Sequence, residues 1–213
     1  MPRTFAWLLL LLLPLTACAQ APAAPPRVGE DYEVLDKGQR WQAPNGKIEV
    51  AEVFAYWCTH CDAFQPYVDT WKKKLPADVS FVYVPAAFDE DDAYGKAFFA
   101  AESVKAVAKT HQPLFDAIHK TGELPGRSAT PDEIGTWFAK QGLNRAKMVG
   151  LMQSKAIEAR MAQAHAFAVA NRVGGTPTII VNGKYLVRTR SADDRMRVVD
   201  ALIALERAAA KKR

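Results

Sequence analysis

Apolar and polar positions fall into distinct patterns along the chain, and each pattern predicts an element. YEVL (32–35) is a short strand candidate, and Asn45-Gly46 marks a turn. IEVAEVFAYW (48–57) is rich in β-branched and aromatic residues and has the length of a buried strand. It runs directly into Cys58-Thr59-His60-Cys61. The following DAFQPYVDTWKKKL (62–75) repeats Phe64, Tyr67, Val68 and Trp71 at helical spacing, with Pro66 predicted to kink the helix rather than end it. VSFVYVPA (79–86) reads as another strand. Strand, helix and strand within about 40 residues form a βαβ unit, which implies a parallel pair with a right-handed crossover.

From Asp89 to Val173 the strand signal vanishes. Residues 91–107 and 113–122 read as helices, and Thr130-Pro131-Asp132-Glu133 is a capping box opening a third that runs to Gly142. The Ala- and Met-rich stretch 144–172 predicts one long helix closed by Gly174-Gly175. Met148, Met152 and Phe167 in this block are expected in the core. Strands return in TPTIIVNGKYLV (176–187), where TIIV and KYLV flank Asn182-Gly183 as a hairpin. A last helix, 192–213, closes the chain. The expected organisation is a signal at 1–17, a tether at 18–29, two halves of one α/β unit at 30–88 and 174–213, and a helical insertion at 89–173.

The N-terminus changes the picture of where the chain works. One basic residue, Arg3, precedes an apolar run from Phe5 to Leu13, then Pro14 and small residues. Phe5 to Ala17 is too short for a bilayer, which needs about 20 residues, and has the form of a secretory signal. Leu15-Thr16-Ala17-Cys18 resembles a bacterial lipobox with Cys18 as the lipidated residue; Ala17-Cys18-Ala19 equally offers the small-x-small pattern of ordinary signal peptidase. The stretch 21–26 is Pro- and Ala-rich, as in a flexible tether. Removing residues 1–17 takes away one cation, so the formal charge falls from +5 to +4. The balance of 28 Lys and Arg against 23 Asp and Glu has no basic and aromatic stripe, which argues against nucleic acid. After export only Cys58 and Cys61 remain for the folded part, in a compartment where disulfides persist.

A CxxC at the junction of a strand and a helix has several readings. Zinc would need a second pair of ligands at similar spacing, and His111, His119 and His165 do not supply one. Haem attachment would need His where Asp62 stands. A structural disulfide over so short a loop adds little stability. A redox dithiol fits. At the N-cap or first turn Cys58 meets the unpaired amides and the positive end of the helix, both of which stabilise a thiolate. His60 can add a donor or a positive charge. Stabilising the thiolate stabilises the reduced form, so the disulfide becomes the stronger oxidant, by about 1.4 kcal/mol per unit of pKa depression. Cys58 is expected to be the exposed attacking sulfur and Cys61 the buried resolving one.

Period-two alternation puts Ile48, Val50, Glu52, Phe54 and Tyr56 on one face, so Glu52 should be desolvated with a raised pKa, able to exchange a proton with Cys61. Glu49 faces the other way and is expected to be solvated. Gly175-Thr176-Pro177-Thr178 places proline at a strand start, where it loses no ladder bond.

The matching segments EVFAYWCTHC (52–61), PLFDAIH (113–119) and GGTPTIIVNGKY (174–185), in this order, resemble the DsbA family of thioredoxin-fold oxidoreductases over about residues 30–210. The resemblance implies a thioredoxin-like α/β fold with an inserted all-helical domain. It implies an activity too: oxidation of thiol pairs in unfolded exported proteins in the periplasm, with reoxidation by a DsbB-type membrane oxidase. That family is itself the known case of a strong oxidant made by thiolate stabilisation. By motif position Cys58 resembles the family nucleophile, Cys61 its partner, Glu52 the buried acid and Pro177 the cis-proline. The Thr176 backbone would sit beside the disulfide, where an incoming peptide could add as a strand. Thr59 departs from the proline of the best-known members, which bears on the potential and not on the reaction class. No cofactor or metal is expected, the only membrane link expected is a lipid anchor through Cys18 under the lipobox reading, and a monomer is expected. A thioredoxin-type reductant shares the motif, and a lipoprotein binding metal through Cys58, His60 and Cys61 is a non-enzyme alternative. A disulfide isomerase would need an N-terminal dimerisation domain, for which the signal and tether leave no room.

Overall fold

A computed structural model describes residues 24–189 and 191–212. The signal at 1–17, Cys18 and the first part of the tether therefore lie outside the described residues. Among the described residues no helix is long and apolar enough to cross a membrane.

The sheet has the order β1-β5-β4-β2-β3, formed by β1 (Tyr32–Val34), β2 (Ile48–Phe54), β3 (Val79–Pro85), β4 (Thr178–Val181) and β5 (Tyr185–Val187). The predicted parallel pair is β2 with β3, Ile48 opposite Val79 and Phe54 opposite Pro85; every other pairing is antiparallel. Seven helices complete the described fold. They are α1 (Thr59–Lys72), α2 (Ala93–Ser103), α3 (Val107–His119), α4 (Pro131–Lys140), α5 (Arg145–Met152), α6 (Lys155–Ala170) and α7 (Ala192–Ala210). The five from α2 to α6 fall in sequence between β3 and β4, so the sheet is built from two separated stretches of chain.

β2 lies between β4 and β3, and its residues from Glu49 to Phe54 are all buried. Burial on both faces overturns the expectation for Glu49, which is only 1% exposed. The loop before β2 folds over this face, and the Trp41 and Gln42 amides donate to the Glu49 carboxylate at 2.7 and 2.8 Å. A buried carboxylate thus replaces water with two backbone donors.

The strand ends earlier than its apolar run suggests. Ala55–Trp57 turn out of the sheet, with the Cys58 amide donating to the Ala55 carbonyl, and Thr59 begins α1. Pro66 sits inside α1 without ending it, as Pro113 does in α3, which starts six residues before the predicted helix.

The long helix expected at 144–172 is two helices. Ser154 breaks it by accepting from the Ile157 amide as an N-cap, a local bond that competes with helix continuation. The end comes at Asn171 and not at the glycine pair: its side chain bonds the Phe167 carbonyl and both backbone groups of Gln39, and Arg172 takes φ +53°. The capping box at Thr130 and Glu133 forms as predicted. Met148, Met152 and Phe167 are buried.

Candidate active site

Cys58 is the N-cap of α1, in extended conformation at φ −87° and ψ 113°, and Cys61 lies one turn inside. Both are free thiols. Cys61 is 0% exposed and Cys58 8%, so the predicted order holds while the predicted openness of Cys58 does not. The cover includes the Thr176 backbone. In the thiol form Cys58 Sγ–H donates to the Thr176 carbonyl at 3.3 Å.

The electrostatics favour a thiolate at Cys58, by a route only partly the one expected. Its pKa is lowered from 9.0 to about 5, chiefly by a hydrogen bond from the Cys61 thiol, against the cost of burial. The Thr176 side chain contributes next, and the Cys61 and His60 amides after it. Neither amide makes a capping hydrogen bond of ordinary geometry with the cysteine. The helix start therefore supports the anion, and the neighbouring thiol is its main donor. Cys61 shifts the opposite way, well above its usual range, because burial disfavours its anion and its S–H is engaged by Cys58. One sulfur is anionic and the other keeps its proton.

Glu52 is fully buried in β2, and desolvation raises its pKa from 4.5 to about 8. Arg195 and Lys72 pull the value down, while Asp69 and Cys58 push it up. Sequence reasoning missed the polar chain that serves this acid. Lys72 Nζ donates to the Tyr83 hydroxyl at 3.2 Å, that hydroxyl donates to Gln65 Oε1 at 3.0 Å, and Gln65 Nε2 donates to Glu52 Oε1 at 3.4 Å. The two ends of the Gln65 amide set the direction of the inner bonds, since Oε1 can only accept from Tyr83 and Nε2 can only donate to Glu52. Glu52 Oε1 is thereby the acceptor, which leaves the acid proton to Oε2, a buried atom with no partner among the described residues.

The junction before Cys58 is held from several sides. His119 Nε2 donates to the Tyr56 carbonyl at 2.7 Å, and His111 Nδ1 pairs with the Tyr56 hydroxyl at 2.8 Å. His111 stands among Phe54, Tyr56, Tyr83, Phe98 and Phe115, and burial, helped by the Lys72 charge, lowers its pKa to about 3, so it is neutral. Trp57 is covered by the Arg127 guanidinium at 4.1 Å and donates to Asp92 at 3.2 Å. None of these partners has a local sequence signal.

Thr59 and His60 are exposed at the tip of the motif. The Thr176–Pro177 peptide bond is cis, and Thr176, two residues before β4, meets Cys58. A groove of about 250 Å³ runs beside it, lined by His60, Ala63, Phe64, Thr176, Pro177 and Arg195 among others. No three His, Cys, Asp or Glu side chains among the described residues come together in a way that could hold a metal ion.

A four-residue dithiol at a helix start, a β–α–β unit and a cis-proline beside the sulfur define a thiol:disulfide oxidoreductase of the thioredoxin kind. Known proteins narrow this. The sequence profile of the DSBA-like thioredoxin domain matches residues 49–203. The thiol:disulfide interchange protein DsbA of Pseudomonas aeruginosa is 40% identical over 188 residues, covering 86% of this chain and 87% of that protein. Its namesake from Pseudomonas syringae is 39% identical over 197 residues, covering 91% and 90%. The crystal structure of oxidoreductase DsbA from Xylella fastidiosa superposes with a TM-score of 0.84 at 36% identity, covering 87% of this chain and all of that one. The chain belongs to the DsbA family, and its redox pair is Cys58–Cys61.

Proposed function

We propose that the chain works as an oxidant in the periplasm, passing its Cys58–Cys61 disulfide to thiol pairs in unfolded exported proteins and being reoxidised by a DsbB-type membrane oxidase. Residues 1–17 serve export in this reading, and Cys18 is the residue that a lipid anchor would use. The observation that carries it is the split between the two thiols, with Cys58 lowered to about 5 and Cys61 pushed far up. A reduced form holding a stabilised thiolate is the favoured product, so electrons flow from substrate to this protein.

The steps follow from that asymmetry. A substrate thiolate attacks Cys58 Sγ, the S–S bond breaks, and Cys61 departs with the electron pair. Cys61 is a poor leaving group as an anion, so it needs a proton as it leaves. Glu52, neutral below about pH 8, is the donor we assign. The second substrate thiolate then attacks the substrate sulfur of the mixed disulfide and expels Cys58 as a stable thiolate. The substrate loses two electrons and two protons; Cys61 keeps the proton that Glu52 gave, one released proton restores Glu52, and the other goes to solvent. Thr176 and Pro177 are the substrate edge in this reading, and His60 and Thr59 tune the potential from the exposed tip.

Equilibration with glutathione tests the direction. The disulfide should be reduced by modest amounts of reduced glutathione, and Cys58→Ser should lose all dithiol oxidation. A disulfide that survives a large excess of reduced glutathione would make the protein a thioredoxin-type reductant instead.

A further inference from the structure

We propose that Arg195 recognises a carboxylate on the substrate segment that lies beside the reacting cysteine, so that thiols flanked by Asp or Glu are preferred substrates. This rests on the reading of Thr176 and Pro177 as the substrate edge. Arg195 stands near the start of α7 and forms one wall of the groove it shares with His60, Phe64 and Pro177. Two contacts fix its guanidinium there. Nη2 donates to the Thr189 carbonyl at 3.0 Å, and the group lies over the Phe64 ring at 4.9 Å.

Arg195 lacks the acidic partner that its neighbours on α7 have. Arg197 and Arg207 on the same helix are paired with Asp194 and Asp78, respectively. No salt bridge joins Arg195 to any carboxylate among the described residues. None of the groove's described lining residues is acidic, and Asp193 lines the neighbouring groove between α1 and α7. The acid groups that act on it electrostatically are Glu52 and Cys61, both buried and both protonated at neutral pH. Arg195 is half-buried, and a partly desolvated cation without an anion is an unfavourable arrangement. A guanidinium has five N–H donors in a planar fork suited to carboxylate, and one of them is used. A substrate carboxylate would complete the pair in a groove also lined by Thr176, the residue whose carbonyl meets Cys58 Sγ at 3.3 Å.

The test uses two pairs of dithiol peptides, each pair identical except for Glu or Gln placed two residues before or after the first cysteine. Oxidation of each by the exported form of the chain is followed by stopped-flow tryptophan fluorescence. The Glu peptide should react about fivefold faster than its Gln twin in at least one placement, the rate equivalent of roughly 1 kcal/mol. That ratio should fall to near one in Arg195→Gln and at high salt, and survive in part in Arg195→Lys. Because Arg195 also acts on Glu52, the ratio of twin rates is the readout, since effects on the common chemistry cancel. Equal rates for the twins in both placements, or a ratio unchanged in Arg195→Gln, overturns the proposal while leaving the substrate edge standing. If activated peptides fail to trap on Cys58 in the Cys61→Ser variant, the reading of the edge itself fails, and the proposal with it.

Discussion

The acid–base behaviour of the site is set by a few side chains whose surroundings pull them apart. Cys58 is the anion and Cys61 the proton keeper, while Glu52 stores a proton on an oxygen that nothing else holds. The rate at which Cys61 is released from the disulfide should therefore bend with rising pH, falling as Glu52 ionises, at a pH below the value of about 8 that Glu52 has beside the Cys58 thiolate. Glu52→Gln should remove the bend in a stopped-flow pH profile. Lys72→Met should keep Glu52 protonated to higher pH, because one of the two cations that lower its pKa is gone while Arg195 remains; the carboxylic acid band in infrared spectra against pH would report it. A Glu52 midpoint that stays put in Lys72→Met would show that the Lys72–Tyr83–Gln65 chain has no hold on the acid. Cys58, Cys61 and Glu52 were legible in the sequence because CxxC spacing and strand alternation are local signals. Gln65, Tyr83, Lys72 and Arg195 were not, since each acts across an element boundary: Tyr83 reaches Gln65 over 18 positions, and His119 reaches Tyr56 over 63. Glu49 was misjudged for the same reason, as alternation names a face without saying what covers it.

Elements were legible where a turn or cap carries its own chemistry. The β4–β5 hairpin turns on Asn182 and Gly183, at φ +54° and +66°, as the Asn-Gly pair predicts. Gly183 carries a second constraint that no local pattern reveals. A Cβ there would meet the Gln39 carbonyl carbon at 2.6 Å and the Arg40 nitrogen at 2.7 Å, both backbone atoms. Gly46, at φ +80°, has open space around it. Gly46→Ala should thus cost about 1 kcal/mol, from its backbone conformation alone. Gly183→Ala adds the clash and should cost roughly 3 kcal/mol or more. Denaturant midpoints of the two variants would check the order, and similar losses would deny the close approach. The split of the 144–172 stretch shows the opposite case. Helical spacing continues through Ser154, whose hydroxyl instead donates to the Leu151 carbonyl and accepts from the Ile157 amide, closing one helix and opening the next.

At the scale of the whole molecule, the helices between β3 and β4 brace the redox junction. α3 holds Tyr56 through His111 and His119, so the residue two before Cys58 is tied to a helix far along the chain. The order of strands and helices was readable from hydrophobic patterns, but this docking was not, because the contacts join faces that look alike in sequence. Stability couples to the redox state through Cys58. Its value in the reduced fold lies below that of a free thiol, so the thiolate contributes nothing below about pH 5. The contribution grows as pH rises from about 5 to 9 and is lost again as pH falls. Glu52 has the opposite sign, since its raised value costs stability as pH climbs from 4.5 through about 8. Part of that cost belongs to the reduced form alone, because the Cys58 thiolate is one of the charges that raise Glu52, and it offsets part of the Cys58 gain. The reduced form should gain on the oxidised one with rising pH, by a few kcal/mol in all at about 1.4 kcal/mol per unit. Thermal melts of both forms across that range would show it as a widening gap. Thiolate absorbance of the reduced chain against pH reads out whether the reduced protein keeps Cys58 as an anion. A midpoint near 5 that vanishes in Cys58→Ser is expected, and a midpoint near 9 would mean that Cys58 is an ordinary thiol and the protein no strong oxidant.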